Sequence, residues 1–204
     1  YRFTIDDDKT VIYGLGAIKG VGEGAIEGII EARSAAGPFK DLFDFCRRID
    51  LKRANRRVLE ALVRAGALDH LGANRATLMM QLPFALKMAE KHEADQSAGI
   101  MDLFGDATDV QVAPPPGVVP DDTDEWDDEL RLQGEKETLG LFLTGHPIDR
   151  YAEHLDQLVG QRIARLSLDD MKGHRHRRGG KKVKIAGLVV AVARRNTQRG
   201  AMAS

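Results

Sequence analysis

The backbone is the first place to look for chemistry in this chain. Residues 18–29 read Ile18-Lys19-Gly20-Val21-Gly22-Glu23-Gly24-Ala25-Ile26-Glu27-Gly28-Ile29. Two glycines one residue apart allow a tight turn with positive φ and a close backbone approach. Such a turn, leading straight into a helix, aims successive amide N–H groups outward at the positive end of the helix dipole, where an anion is favoured. Lys19 is the nearest cation, since Glu23 and Gly24 follow the turn. The spacing predicts a short helix over Val11–Ile18, a turn at Gly20-Val21-Gly22 and a second helix from Glu23. Val21 is expected to point inward, Ala25 to let the two helices approach, and Ile29 to pack beneath. The candidate phosphate-binding set is Lys19, Gly20, Val21, Gly22 and Gly24. Dinucleotide binding fits less well, because Gly14-Leu15-Gly16 and Gly20-Val21-Gly22 both lack the third glycine of that fingerprint and no buried strand precedes either. The plainer alternative is that these glycines only shape a helical corner.

A second, degenerate copy of the arrangement follows. Phe39–Arg47 would be its first helix, Ile49-Asp50-Leu51-Lys52 its turn and Asn55–Ala65 its second helix. Asp50 and Lys52 stand where glycines would be, but Arg47, Arg48, Lys52, Arg53, Arg56 and Arg57 crowd the turn, so side-chain cations could replace backbone donors. Lys52, Arg53 and Arg56 join the candidate set; a solvated basic helix face is the alternative. Further on, Ile100-Met101-Asp102-Leu103-Phe104 places large apolar residues in polar sequence, the pattern of a linear motif that fills a pocket on a partner. The alternative is that Met101, Leu103 and Phe104 cover the core of the preceding helices. Between Lys172 and Lys184, nine of thirteen residues are Lys, Arg or His and none is acidic. That run could follow single-stranded nucleic acid or be a solvated loop, which Gly173, Gly179 and Gly180 favour.

These residues must be positioned by 204 residues with a formal net charge of -1, enough for one or two domains with a core. No window approaches the roughly 20 apolar residues of a membrane span, and no signal-peptide pattern opens the chain. The single cysteine, Cys46, excludes an internal disulfide, suits a reducing, cytoplasmic setting and lies among the core positions of an apolar-periodic helix. The chain begins at Tyr1 and stops at AMAS soon after an apolar run, so a longer parent polypeptide is expected.

The pattern is mainly α. Residues 1–93 read as a helical DNA-binding domain, with apolar stripes at Ala25, Ile26, Ile29 and Ile30 and at Val58, Leu59, Leu62 and Val63. A helix from 74 to 93 opens on an Asn74 cap and meets Pro83, where a kink is expected. Residues 94–125 read as a Pro-rich, acidic linker carrying the Met-x-Leu-Phe motif, and seven of the nine residues 121–129 are acidic. Residues 126–170 read as linker helices broken at Gly145-His146-Pro147, with Tyr151, Leu155 and Leu158 on one face. Residues 171–204 hold the basic loop and then KVKIAGLVVAVARR (182–195), whose β-branched run predicts a strand at 183–193. Its partner is expected just after Gly200 or beyond the chain. Asp127-Asp128 and Asp169-Asp170 read as helix starts rather than metal ligands. His174 and His176 lack a Cys or Asp companion for zinc.

The segment 18–29 resembles the helix-hairpin-helix motif, which grips nucleic-acid phosphates without reading bases. Residues 100–104 resemble the sliding-clamp-binding pentapeptide of bacterial polymerases, with Ile100 where glutamine is usual. More widely, YGLGAIKGVGEGAIEGIIEAR (13–33), GPFKDLFDFCRR (37–48), RRVLEALVRAGALDHLG (56–72), GEKETLGLFLTGHPIDRY (134–151) and KVKIAGLVVAVARR (182–195) resemble the alpha-subunit family of bacterial DNA polymerase III, the C-family replicases. That resemblance implies a tandem helix-hairpin-helix domain, a clamp-binding linker, linker helices and the first strands of an OB-type barrel. It implies a parent that performs template-directed DNA synthesis with Mg²⁺ ions on palm-domain aspartates, none of them visible in this segment. The implied partners are duplex DNA through its phosphates, the beta sliding clamp, single-stranded template and other replicase subunits. A DNA-binding adaptor of a repair or recombination protein is the rival, but an adaptor needs neither the 134–148 stretch nor an OB-like strand.

Overall fold

The computed structural model describes residues 2–5, 10–97, 123–159, 163, 184–189, 192, 194–197 and 200–203. They fall into two compact units, residues 1–144 and 145–204. The first opens with a two-stranded antiparallel ladder of β1 (Thr4–Ile5) and β2 (Val11–Ile12), in which Thr4 faces Ile12 and Ile5 faces Val11. Then come α1 (Glu23–Ala36), α2 (Leu42–Arg48), α3 (Arg56–Arg64), α4 (Arg75–Ser97) and α5 (Asp128–Leu139).

The helix expected over Val11–Ile18 is absent. β-branched Val11 and Ile12 take an extended ladder instead, and the helical part shrinks to a single 3-10 turn at Leu15–Ala17. Elsewhere the helix starts lie where short polar caps stand. Asp41 accepts from the Asp44 amide, Asn55 from Arg57 and Val58, Asn74 from Thr77, and Asp127 from Leu130. The expected second-hairpin helices thus form as α2 and α3, and α4 runs through Pro83 as one helix to Ser97.

The core gathers Ile26, Leu42, Phe45, Leu59, Leu62, Val63, Leu78 and Leu82, all buried. α4 packs against α2 and α3, and α3 also meets α5. Val58, Leu59, Leu62 and Val63 bury together as their spacing predicts, as do Ala25, Ile26 and Ile29, while Ile30 stays partly exposed. Cys46 is a core residue, and burial pushes its thiol up to about 12, so it is an inert apolar group.

The acidic run contributes to this unit. Glu125 accepts from the amides of Arg75 and Ala76 at 3.1 Å each, capping α4 with a carboxylate. Burial alone would raise the Glu125 pKa, but the Trp126, Arg75 and Ala76 amides outweigh it and hold it low. Thr123 exchanges hydrogen bonds with Asn74 and Thr77, so residues 123–126 are bound to the start of α4.

The most deeply buried polar group is the ion cluster around Arg75. Its guanidinium meets Asp69 through Nε and Nη2 at 2.9 and 3.0 Å and Glu135 through Nη1 at 3.0 Å. Glu135 is fully buried and also accepts from the amides of Leu143 (2.6 Å) and Thr144 (3.0 Å) and from the Thr144 hydroxyl (2.8 Å). Gly66, at φ 77°, makes room: a Cβ there would overlap the Arg75 guanidinium. Burial pushes the Glu135 pKa up, but the two amides, the hydroxyl and Arg75 outweigh that and hold it below the usual range.

The second unit holds a 3-10 turn at Asp149–Tyr151, α6 (Ala152–Leu158), and an antiparallel pair of β3 (Arg194–Thr197) and β4 (Gly200–Ala203). Tyr151 and Leu158 are exposed. Of the strand expected at 183–193, residues 184–189 and 192 carry no ladder, and 183, 190, 191 and 193 lie outside the described residues; among the described residues the ladder runs over Arg194–Thr197, opposite Gly200–Ala203. A β-branched run becomes a strand only where a neighbour supplies its hydrogen bonds.

Arg75→Met, which strands the Glu135 charge, should lower the unfolding free energy by about 3–5 kcal/mol in urea titration. Since folded Glu135 keeps its charge to lower pH than the unfolded chain does, its contribution is complete above the ordinary glutamate range near about pH 4.3 and fades as pH falls through the depressed value. Glu135→Gln should therefore cost most at neutral pH, and its deficit against wild type should shrink on acidification. A deficit independent of pH would exclude the charged carboxylate as the stabilising form.

Candidate nucleic-acid interface

The first hairpin joins the 3-10 turn to α1. Lys19 and Gly20 form the turn, with Gly20 at φ 88°, the only residue of the turn that needs a positive φ. Gly22 (φ -78°, ψ 159°) is ordinary extended backbone and serves as the N-cap of α1 without a side-chain cap. Val21, Ala25 and Ile29 are buried, as the spacing predicts.

The amides of this turn divide into two groups. The Lys19 amide donates to the Thr138 carbonyl at 2.8 Å and the Val21 amide to the Ile18 carbonyl at 3.1 Å. Among the described residues, no acceptor meets the amides of Gly20, Gly22, Glu23 or Gly24. A Cβ added at Gly20, Gly22 or Gly24 would meet nothing within 4 Å, so the approach to these donors is open. Four unpartnered N–H groups at the positive end of a fourteen-residue helix favour an anion. The charges nearby are mixed: Glu23, Glu27 and Glu31 are exposed along α1, and the first turn of α1 contains no Lys or Arg.

The second hairpin uses its donors internally. Asp50 accepts from the amides of Lys52, Arg53 and Ala54, and Asn55 accepts from those of Arg57 and Val58. Its cations are also partnered. Lys52 meets Glu93 at 3.4 Å, Arg53 meets Asp50 at 3.4 Å and Arg56 meets Glu60 at 2.7 Å, all exposed pairs worth little in water. Arg47 pairs with Asp44 at 3.2 Å. Arg48 is structural: it bonds Asp44 at 2.9 Å, reaches the carbonyls of Ala32 and Gly37, and lies over the Phe39 ring. Burial pushes the Asp44 pKa up, but the Lys40 amide, Arg48 and Arg47 outweigh it and keep it low. The first hairpin thus offers bare backbone, and the second offers exchangeable side-chain charge.

Residues Ile100, Met101, Asp102, Leu103 and Phe104 lie outside the described residues, as does the basic run 172–184 apart from exposed Lys184. Asp127 caps α5, Asp128 pairs with Arg131 at 2.7 Å, and among the described residues no three His, Cys, Asp or Glu side chains converge. The reach of α5 to the hairpin, through Thr138 to Lys19 and through the Leu139 carbonyl to the Tyr13 hydroxyl (3.1 Å), has no local sequence signal.

The fold around this turn is of the helix-hairpin-helix class over residues 1–78, which match the helix-hairpin-helix motif family. The relatives that match nearly the whole chain are alpha subunits of DNA polymerase III. The chain is 46% identical over 202 residues to DNA polymerase III subunit alpha of Vibrio cholerae serotype O1, an alignment taking in 98% of this chain. It is 46% identical over 203 residues to the same subunit of Escherichia coli K12, and 48% identical over 183 residues to that of Pseudomonas aeruginosa, there covering 81% of this chain. The chain belongs with the DNA polymerase III alpha subunits and corresponds to a segment of them, spanning 15–16% of the length of these curated relatives.

The two outer glycines should respond oppositely to a methyl group. Gly20→Ala forces an L-residue to φ 88° and should cost about 1–2 kcal/mol. Gly24→Ala, in helical backbone with open space around it, should be neutral or stabilise by up to about 1 kcal/mol. Thermal melting checks the pair, and equal effects would contradict the turn geometry.

Proposed function

We propose that this segment holds a bacterial replicase on DNA: its first hairpin grips a duplex phosphate with backbone amides, and residues 100–104 bind the beta sliding clamp. The observation that carries the first half is the set of amides at Gly20, Gly22, Glu23 and Gly24 with no acceptor among the described residues. Amides carry no sequence information, so the contact is indifferent to base identity. Lys19, Val21 and the exchangeable cations Lys52, Arg53 and Arg56 complete the DNA-facing set, Val21 as the buried anchor of the turn. The parent polypeptide is a DNA-directed DNA polymerase in this reading, and its Mg²⁺ chemistry belongs to regions outside this segment. It works in the cytoplasm, where single-stranded template and other replicase subunits are further partners. No helix among the described residues is long and apolar enough to cross a membrane. Tethering to a ring makes each rebinding event intramolecular, at effective concentrations of roughly millimolar, so weak contacts give long residence.

The chain should bind mixed-sequence duplex weakly, with log affinity falling linearly as log salt rises, by about 0.9 per phosphate neutralised. Gly22→Val, which keeps an allowed backbone but crowds the amides, should weaken binding roughly three- to tenfold, more than Lys184→Ala does. A marked preference among duplex sequences, or equal losses in the two variants, would refute phosphate gripping by the turn. Separately, a peptide spanning 98–106 should bind a bacterial sliding clamp. Leu103→Ala with Phe104→Ala should abolish that binding and Ile100→Gln should tighten it; a double variant that binds unchanged would remove the clamp from the reading.

A further inference from the structure

α5 lies more than a hundred residues from the hairpin in sequence, yet it touches the turn at two points. The last carbonyls of a helix have no intrahelical donors. Here the hairpin segment supplies two: the Lys19 amide reaches the Thr138 carbonyl at 2.8 Å, and the Tyr13 hydroxyl reaches the Leu139 carbonyl at 3.1 Å. We infer that the C-terminal end of α5 is the brace that sets the phosphate-facing turn, with Tyr13 as a positioning residue. The inference rests on the phosphate reading above and adds what holds that site in shape.

The geometry fits a brace. The bonded Lys19 amide immediately precedes Gly20, whose φ of 88° redirects the chain, and the unpartnered amides begin at Gly20 itself. One peptide unit therefore separates the fixed donor from the open ones, so a shift at Thr138 is passed directly to them. The brace is itself held at three points. Gly140, at φ 78°, closes the end of α5 with its amide on the Lys136 carbonyl at 3.1 Å. The Thr138 hydroxyl bonds the Gly134 carbonyl at 2.7 Å, and Glu135 is fixed within the Arg75 cluster. Tyr13 is partly buried against the core, with its ring edge-on to Phe3 at 4.7 Å, so Tyr13→Phe can keep the packing and delete only the hydroxyl contact.

Three variants of the full chain test this. Tyr13→Phe removes one bond of the brace. Gly140→Ala strains the end of α5 at φ 78°, with nothing within 4 Å of the new methyl. Gly37→Ala places a harsher strain, at φ 76° and ψ -170° and again in open space, at the end of α1 away from the turn. Amide exchange followed by NMR should show Lys19 exchanging faster in Tyr13→Phe and Gly140→Ala than in wild type, relative to the Ile26 amide, and unchanged in Gly37→Ala. Affinity for a 20-base-pair mixed-sequence duplex should fall roughly three- to tenfold in the first two, with the salt slope preserved because the phosphates contacted are the same. Gly37→Ala should stay within about twofold of wild type although it is the more strained of the two glycine variants. The brace is overturned if wild type binds and Tyr13→Phe and Gly140→Ala bind equally well, or if Gly37→Ala loses as much. A wild-type chain without duplex affinity overturns the phosphate reading itself and any positioning role with it.

Discussion

The buried contact between Arg75 and Glu135 joins parts of the chain that no local pattern connects. Two unit charges out of water are costly unless every remaining donor and acceptor is met. Glu135 meets this condition with two backbone amides, a hydroxyl and the guanidinium, and Arg75 adds both oxygens of Asp69. The start of α4, the end of α3 and α5 are thereby held in one arrangement, with Gly66 keeping the space for the guanidinium. A cluster of apolar side chains could have supplied comparable stability, but with less restriction on how α5 is placed.

Placement of α5 has consequences at the hairpin. Its last carbonyls take donors from Lys19 and Tyr13, and the amides that remain unpartnered follow immediately in sequence. The two hairpins then differ in kind: a 3-10 turn leads into α1 in the first, and α2 leads into α3 in the second. In the second, Asp50 and Asn55 occupy the amide donors that the first leaves bare, and the cations around it pair with neighbouring carboxylates. The Asp50 side chain, standing where a glycine would be, takes the Lys52 amide and so competes with any external anion for that N–H group.

Local patterns made much of this legible. The burial of Val21, Ala25 and Ile29, the stripe from Val58 to Val63, the Asn74 cap and the helix starts at Asn55 and Asp127 all depend on residues within a turn or two of each other, where spacing is informative. Failures arose where the deciding partner is distant. Val11 and Ile12 read as helix because their ladder with Thr4 and Ile5 has no local sign. Glu125 read as part of an acidic linker because its role as a cap for α4 depends on a helix fifty residues earlier. Arg75 and Glu135 meet across sixty residues of sequence, a pairing that no local pattern announces. The apolar run at 183–193 read as a strand, but its described residues 184–189 and 192 carry no ladder, and the described pairing lies at Arg194–Thr197, where β4 supplies partners.

The central claim is that the bare amides of one turn, rather than diffuse positive charge, meet the phosphate. Titrating the ¹⁵N-labelled chain with a short mixed-sequence duplex and following each amide resonance tests this most directly. The account predicts the largest shifts at Gly20, Gly22, Glu23 and Gly24, with the protein-bonded amides of Lys19, Val21, Arg57 and Val58 moving far less. Shifts concentrated over 52–58, with 20–24 silent, would contradict it and assign the contact to the second hairpin's cations.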